Sequence, residues 1–142
     1  MSKPTFGVIG GGSWATAIVK MLCENLDTVG WYMRSSYALE HIKREQHNPS
    51  YLSSVEFKPE QLMLSNDINE IVAYSDYVIF AVPSAFIGGE LKNLTVSLKD
   101  KVIVSAIKGI MPESGKLVGS HFNEEHNAAI EDIAVIAGPC HA

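Results

Sequence analysis

Apolar residues fall into short runs separated by longer amphipathic stretches, and this alternation continues along the whole chain. The runs at residues 5–10, 28–33, 61–64, 77–81, 101–105 and 133–137 predict six strands. Several are apolar at successive positions, most clearly Tyr77-Val78-Ile79-Phe80-Ala81-Val82, which is the pattern of strands covered by helices on both faces. Between them, residues 14–25 carry Ala17, Ile18, Met21 and Leu22 at helical spacing, and residues 37–46 predict a second helix. A third, over 67–74, opens with Asp67 followed three positions later by Glu70, the spacing of a capping box. A fourth, over 86–98, is weakened by Gly88 and Gly89, each costing about 1 kcal/mol relative to Ala. Residues 48–59 hold two prolines and three serines and read as a loop. Strands alternating with helices predict a doubly wound, mostly parallel α/β sheet made of two three-strand halves, with ligands bound outside the carboxyl ends of the strands. Functional residues are therefore expected in the turns that follow strands.

Composition narrows this picture. A chain of 142 residues, 46% apolar and 19% charged, is long enough for one domain whose core needs neither disulfide nor structural metal. The net charge of −5 argues against nucleic acid and anionic membrane surfaces as partners, since both require a basic face. No stretch approaches the roughly 18 apolar residues that would span a bilayer, and the first apolar run is too short for a signal segment. Cys23 and Cys140 match no metal or Cys-x-x-Cys spacing and read as free thiols in a reducing compartment. A cytoplasmic protein without membrane insertion is expected.

The chemistry concentrates after the strands. Gly10-Gly11-Gly12-Ser13-Trp14-Ala15 fits Gly-x-Gly-x-x-Gly/Ala between a strand and a helix, the fingerprint of a Rossmann dinucleotide-binding fold. Gly10 permits the tight turn, Gly12 lets the backbone approach a pyrophosphate, and Ala15 lets helix and strand pack closely. At the end of the second strand, where an acid would hold a ribose 2′-hydroxyl, stands Arg34, which suits a 2′-phosphate and tilts the expectation toward NADPH over NADH. A solvated strand-end arginine is the alternative. Val82-Pro83-Ser84 turns the chain after the fourth strand, and Phe86 beside it is expected to pack on the core or on a cofactor ring. Lys108 follows the fifth strand, where its ammonium can reach an anionic substrate or simply meet solvent, and Gly109 permits close backbone approach. The five histidines offer little: His41 and His47 are expected to be solvated or in loops. The five-residue spacing of His121 and His126 argues against a shared helical face. His141 lies in a final glycine turn, and Cys140 has no accompanying general base and reads as a small turn residue. No metal site is expected.

Taken in order, Gly10-Gly-Gly-Ser-Trp-Ala-Thr-Ala17, Asn48-Pro-Ser-Tyr-Leu52, Val82-Pro-Ser84, Ile107-Lys-Gly-Ile110 and Gly138-Pro-Cys-His-Ala142 give the chain its resemblance to the amino-terminal domain of bacterial-type NAD(P)-dependent glycerol-3-phosphate dehydrogenases. The resemblance implies that Ser13, Trp14, Arg34, Lys108 and Ala142 contact the cofactor, and that Lys108, Gly138 and Cys140 contact the substrate. It implies hydride transfer between NAD(P)H and dihydroxyacetone phosphate, giving sn-glycerol 3-phosphate for glycerophospholipid synthesis, in a full-length protein that is a homodimer. The family more often has Ser or Thr where Cys140 stands, and glycine where Ala15 stands. The chain is expected to be a truncated form, one NAD(P)-binding domain over 1–142, with the helical substrate domain and its proton-transferring lysine lying beyond Ala142. Another two-domain reductase acting on a hydroxyacid or ketopantoate, or a non-catalytic NAD(P)H-sensing module, would share the glycine turn.

Overall fold

A computed structural model of the chain describes residues 2–137. Its strands are β1 (Phe6–Ile9), β2 (Val29–Tyr32), β3 (Leu62–Ser65), β4 (Tyr77–Phe80), β5 (Val102–Ser105) and β6 (Ile133–Val135). Its helices are α1 (Ser13–Cys23), α2 (Ser36–Glu45), α3 (Ile68–Tyr74), α4 (Ser84–Leu91) and α5 (Val118–His126). The strands form one parallel sheet in the order β3-β2-β1-β4-β5-β6. The chain therefore winds outward from β1 to β3, returns to the centre, and winds outward the other way from β4. Where the direction reverses, between β1 and β4, the connecting turns diverge and leave a crevice at the carboxyl edge.

All six predicted strands are present, each within a residue or two of its expected ends. Successive residues of the central strands feed opposite cores, which is why they read as unbroken apolar runs. On one face, Val8, Trp31 and Ile79 pack with Ala15, Ile18 and Val19 of α1 and with Leu39 and Ile42 of α2. On the other, Ile9, Val78, Phe80 and Ile103 pack with Ile71 of α3, Ile87 of α4 and Phe122 of α5.

Three elements differ from expectation. First, α4 ends at Leu91, well short of residue 98. Asn69 on α3 accounts for the early stop: its Oδ1 accepts the backbone N–H groups of Thr95 and Val96 at 2.7 and 3.0 Å, and its Nδ2 donates to the Asn93 carbonyl at 2.9 Å. Those amides are thus held outside the helical ladder, while Leu98 still reaches the core. Second, α5 was not predicted. Its sequence, VGSHFNEEH, buries only Val118 and Phe122 and carries Gly119, so both its periodicity and its propensity are weak. Third, the capping box of α3 is relayed. Asp67 Oδ1 accepts the Asn69 N–H at 2.9 Å in place of the Glu70 N–H of a capping box, Glu70 bonds the Ser65 hydroxyl, and it is Ser65 Oγ that accepts the Asp67 N–H.

Candidate functional site

The crevice between the two halves of the sheet is a cleft of about 400 Å³, lined at its floor by Gly10, Gly11 and Gly12 and at its rim by Arg34, Tyr37, Tyr51 and Phe86. Its floor is fixed by hydrogen bonds that occupy every carbonyl of the triple-glycine turn. The buried Trp31 indole Nε1 donates to the Gly10 carbonyl at 2.7 Å, Asn48 Nδ2 to that of Gly11 at 3.1 Å, and Thr16 Oγ1 to that of Gly12 at 2.7 Å. The first N–H groups of α1 have no partner within the helix, and Gly12, its N-cap, provides no side chain to cap them. A Cβ at Gly12 would meet nothing within 4 Å. An open concavity of bare amides at the positive end of a helix dipole is suited to an anion, a phosphate above all.

Asn48 holds the opposite wall. Only 1% of this residue is exposed, and its amide makes four bonds. Besides Gly11, Nδ2 donates to Thr16 Oγ1 at 3.0 Å, and Oδ1 accepts the N–H groups of Ser50 and Tyr51 at 3.0 and 3.2 Å. The loop carrying Tyr51 is thereby pinned to the glycine turn. Asn48→Ala should lower stability by about 2–3 kcal/mol, because buried polar groups lose their partners, and should release the Tyr51 wall. Urea denaturation checks this, and an unchanged midpoint would refute the stapling role.

The sequence-predicted residues do not all converge. Gly10, Gly12 and Arg34 line the cleft. Ala15 is fully buried beneath it, in the α1–sheet packing expected of it. Ser13 and Trp14 are exposed on the first turn of α1 and do not line the cleft as it stands. Lys108 is exposed on the turn after β5, next to Gly109 with φ +87°, and that turn borders a second hollow of about 340 Å³ between β5, α5 and β6. Gly138, Cys140, His141 and Ala142 lie outside the described residues. Phe86 is not in the core: it is 60% exposed at the rim of the cleft, where an aromatic face is available to a planar ring.

His47 lies in a loop as expected, whereas His41, His121 and His126 depart from expectation. His41 is not solvated, for both ring nitrogens are buried without a hydrogen-bond partner and its ring meets that of His47 edge-on at 4.8 Å. His121 and His126 do share a face of α5, with ring centroids 5.3 Å apart, and burial together with the neighbouring His121 pushes the pKa of His126 down. Among the described residues no group of three His, Cys, Asp or Glu side chains could hold a metal. Cys23 is a free thiol whose pKa is raised, chiefly by burial, so it is protonated at neutral pH.

Two residues of the cleft carried no signal in the sequence reading. Glu90, buried near the end of α4, bonds the Tyr32 hydroxyl and lies 4.0 Å from Arg34 Nη1. Burial and the hydrogen bond to that carboxylate push the Tyr32 phenol well above its usual range. Tyr32 therefore acts as a donor at every physiological pH.

The family model for the NAD-dependent glycerol-3-phosphate dehydrogenase N-terminus matches residues 5–142. The chain belongs to this family. It is 33% identical over 144 residues to a glycerol-3-phosphate dehydrogenase [NAD(P)+] of Streptococcus suis, covering 100% of this chain and 42% of that protein. It is 35% identical over 138 residues to one from Lysinibacillus sphaericus, covering 95% and 40%. The chain thus spans about two fifths of the length of the relatives it matches. The fold is that of Plasmodium falciparum glycerol-3-phosphate dehydrogenase, with a TM-score of 0.81 at 19% identity over 99% of this chain and 42% of that one. Within this family of dehydrogenases, the glycine cradle and its cleft are the part of the chain that its own geometry marks for a phosphate-bearing ligand. No helix among the described residues is long and apolar enough to cross a membrane.

Proposed function

We propose that this chain holds NAD(H) or NADP(H) in the cleft above the triple-glycine turn, as the cofactor-binding domain of a cytoplasmic glycerol-3-phosphate dehydrogenase. The reaction is dihydroxyacetone phosphate + NAD(P)H + H⁺ giving sn-glycerol 3-phosphate + NAD(P)⁺, and its reverse. The observation that carries the reading is the cradle itself: carbonyls turned into fixed hydrogen bonds, uncapped amides left at the start of α1, and space above Gly12 that a Cβ would fill. Membership of the family supports it independently.

On this reading the amides of Gly12, Ser13 and Trp14 hold the pyrophosphate, and the rim beside Arg34 takes the adenosine end. The bound nicotinamide supplies the hydride. The protein's part is orientation, since a rigid sheet edge presents the cofactor in register and holding reactants in geometry removes much of an entropic barrier. Lys108, with Gly138 and Cys140, forms the substrate side, where the ammonium would stabilise negative charge developing on the ketone oxygen. Ala142 belongs to the cofactor side. The role proposed for these residues is to bind and orient the dinucleotide and the substrate oxygens, and proton donation is assigned to none of them.

Calorimetric titration of the 142-residue chain with NADH and with NADPH tests the reading. Saturable one-site binding of either is expected. A chain that is folded by circular dichroism and binds neither would overturn it.

A further inference from the structure

An arginine after the second strand is ordinarily the mark of a 2′-phosphate site. Here a second charge accompanies it. Of the described residues lining the cleft, only Arg34 and Glu90 are charged, so the rim that would meet a 2′-phosphate is close to neutral. Their freedom differs. The Arg34 side chain is 82% exposed and that of Glu90 only 9%. One Glu90 carboxylate oxygen is tied to the Tyr32 hydroxyl and the other faces Arg34 Nη1 at 4.0 Å. The guanidinium can swing toward a ligand, whereas the carboxylate is anchored and cannot move away from one.

We propose that Glu90 is a specificity-determining residue: its anchored carboxylate cancels the attraction of Arg34 for a 2′-phosphate and sets the cleft to take NADH at least as well as NADPH. The inference rests on the reading above, that the cleft holds the adenosine end of a dinucleotide. A 2′-phosphate arrives as an anion at a rim with no net positive charge. Recruiting Arg34 to it strips a buried carboxylate of its counter-charge, and an uncompensated buried charge is costly. A 2′-hydroxyl brings no charge and can donate to a carboxylate. This is the role an acid at the end of the second strand ordinarily fills, delivered here from α4, which is why the sequence around Arg34 does not show it.

The test is the ratio of calorimetric dissociation constants for NADPH and NADH in the wild-type chain, Glu90→Gln, and Glu90→Gln combined with Arg34→Ala. Glutamine keeps the shape and an acceptor for Tyr32 while removing the charge. The wild type is expected to bind NADPH no more tightly than NADH. Glu90→Gln should shift the ratio about tenfold toward NADPH, equivalent to about 1.4 kcal/mol, and removing Arg34 should abolish the gain. A second readout needs no variant: in the wild type the ratio should stay flat between about 0.05 and 0.5 M KCl, because a neutral rim gives salt nothing to screen. An unchanged ratio in a folded Glu90→Gln chain would overturn the inference. So would a wild-type preference for NADPH that collapses with salt. Failure of the folded wild type to bind either dinucleotide would instead remove the underlying reading, and this inference with it.

Discussion

Gly12→Asp is expected to weaken NADH and NADPH binding by at least about a hundredfold while leaving the chain as stable as the wild type or slightly more so. Gly12 occupies extended backbone, with φ −84° and ψ −171°, which any residue adopts, and a Cβ there meets open space. It is also the N-cap of α1, a position where Asp is preferred because its carboxylate accepts first-turn N–H groups and complements the dipole, worth a few tenths of a kcal/mol over Gly. The same carboxylate would occupy the amides that a pyrophosphate needs and would repel it. Hydrogen bonds to charged groups contribute about 1.5–3 kcal/mol each, so losing two corresponds to a hundredfold or more. Calorimetry and thermal denaturation on one preparation separate the effects. Retained affinity would mean that the phosphates do not sit at this turn, and a marked loss of stability would mean that the space above Gly12 is not open.

What was legible in the sequence follows how locally each feature is encoded. The strands show because double-sided burial demands an apolar residue at nearly every position, and the glycine turn shows because the conformation and close approach it needs leave few residue choices. The doubly wound parallel sheet in two three-strand halves is as expected, and right-handed crossovers leave little freedom in its order once the strands are placed. α5 did not show, because two buried residues over nine make a faint stripe. The contacts that build the cleft walls did not show for a different reason. Trp31 meets Gly10 from 21 residues away, Asn48 meets Gly11 from 37, and Glu90 meets Tyr32 from 58. A tryptophan in a strand, an asparagine before a proline and a glutamate in a helix each have an adequate local explanation. Only the winding of the sheet brings them to one edge. Arg34 is the instructive case, since its charge was legible and the charge opposing it was not.

Gly10→Ala, in contrast to Gly12→Asp, is expected to cost about 3–5 kcal/mol of stability. Gly10 has φ +138°, a region that L side chains rarely adopt, and its Cβ would lie 2.5 Å from the carbonyl oxygen of Ala81 and 2.9 Å from its carbon. Holding a non-glycine residue in such a conformation costs about 1–3 kcal/mol, and forcing an extra methyl group into packed surroundings costs a similar amount again. Neither partner can yield cheaply. The Gly10 N–H donates to the Tyr32 carbonyl at 3.1 Å and its own carbonyl accepts from Trp31, while the Ala81 N–H donates to the Ile9 carbonyl at 2.8 Å. Moving either backbone therefore disturbs β1, β2 and β4 together, where the two halves of the sheet meet. Against a total stability of about 5–15 kcal/mol for a domain, this should lower the melting temperature by roughly 10 °C or more. Gly12→Ala, two residues away, should cost only the difference between a glycine and an alanine N-cap and melt within roughly 5 °C of wild type. If the two alanine variants melt alike, the turn is not braced against β4 as described, and the floor of the cleft would have to be rebuilt from another element.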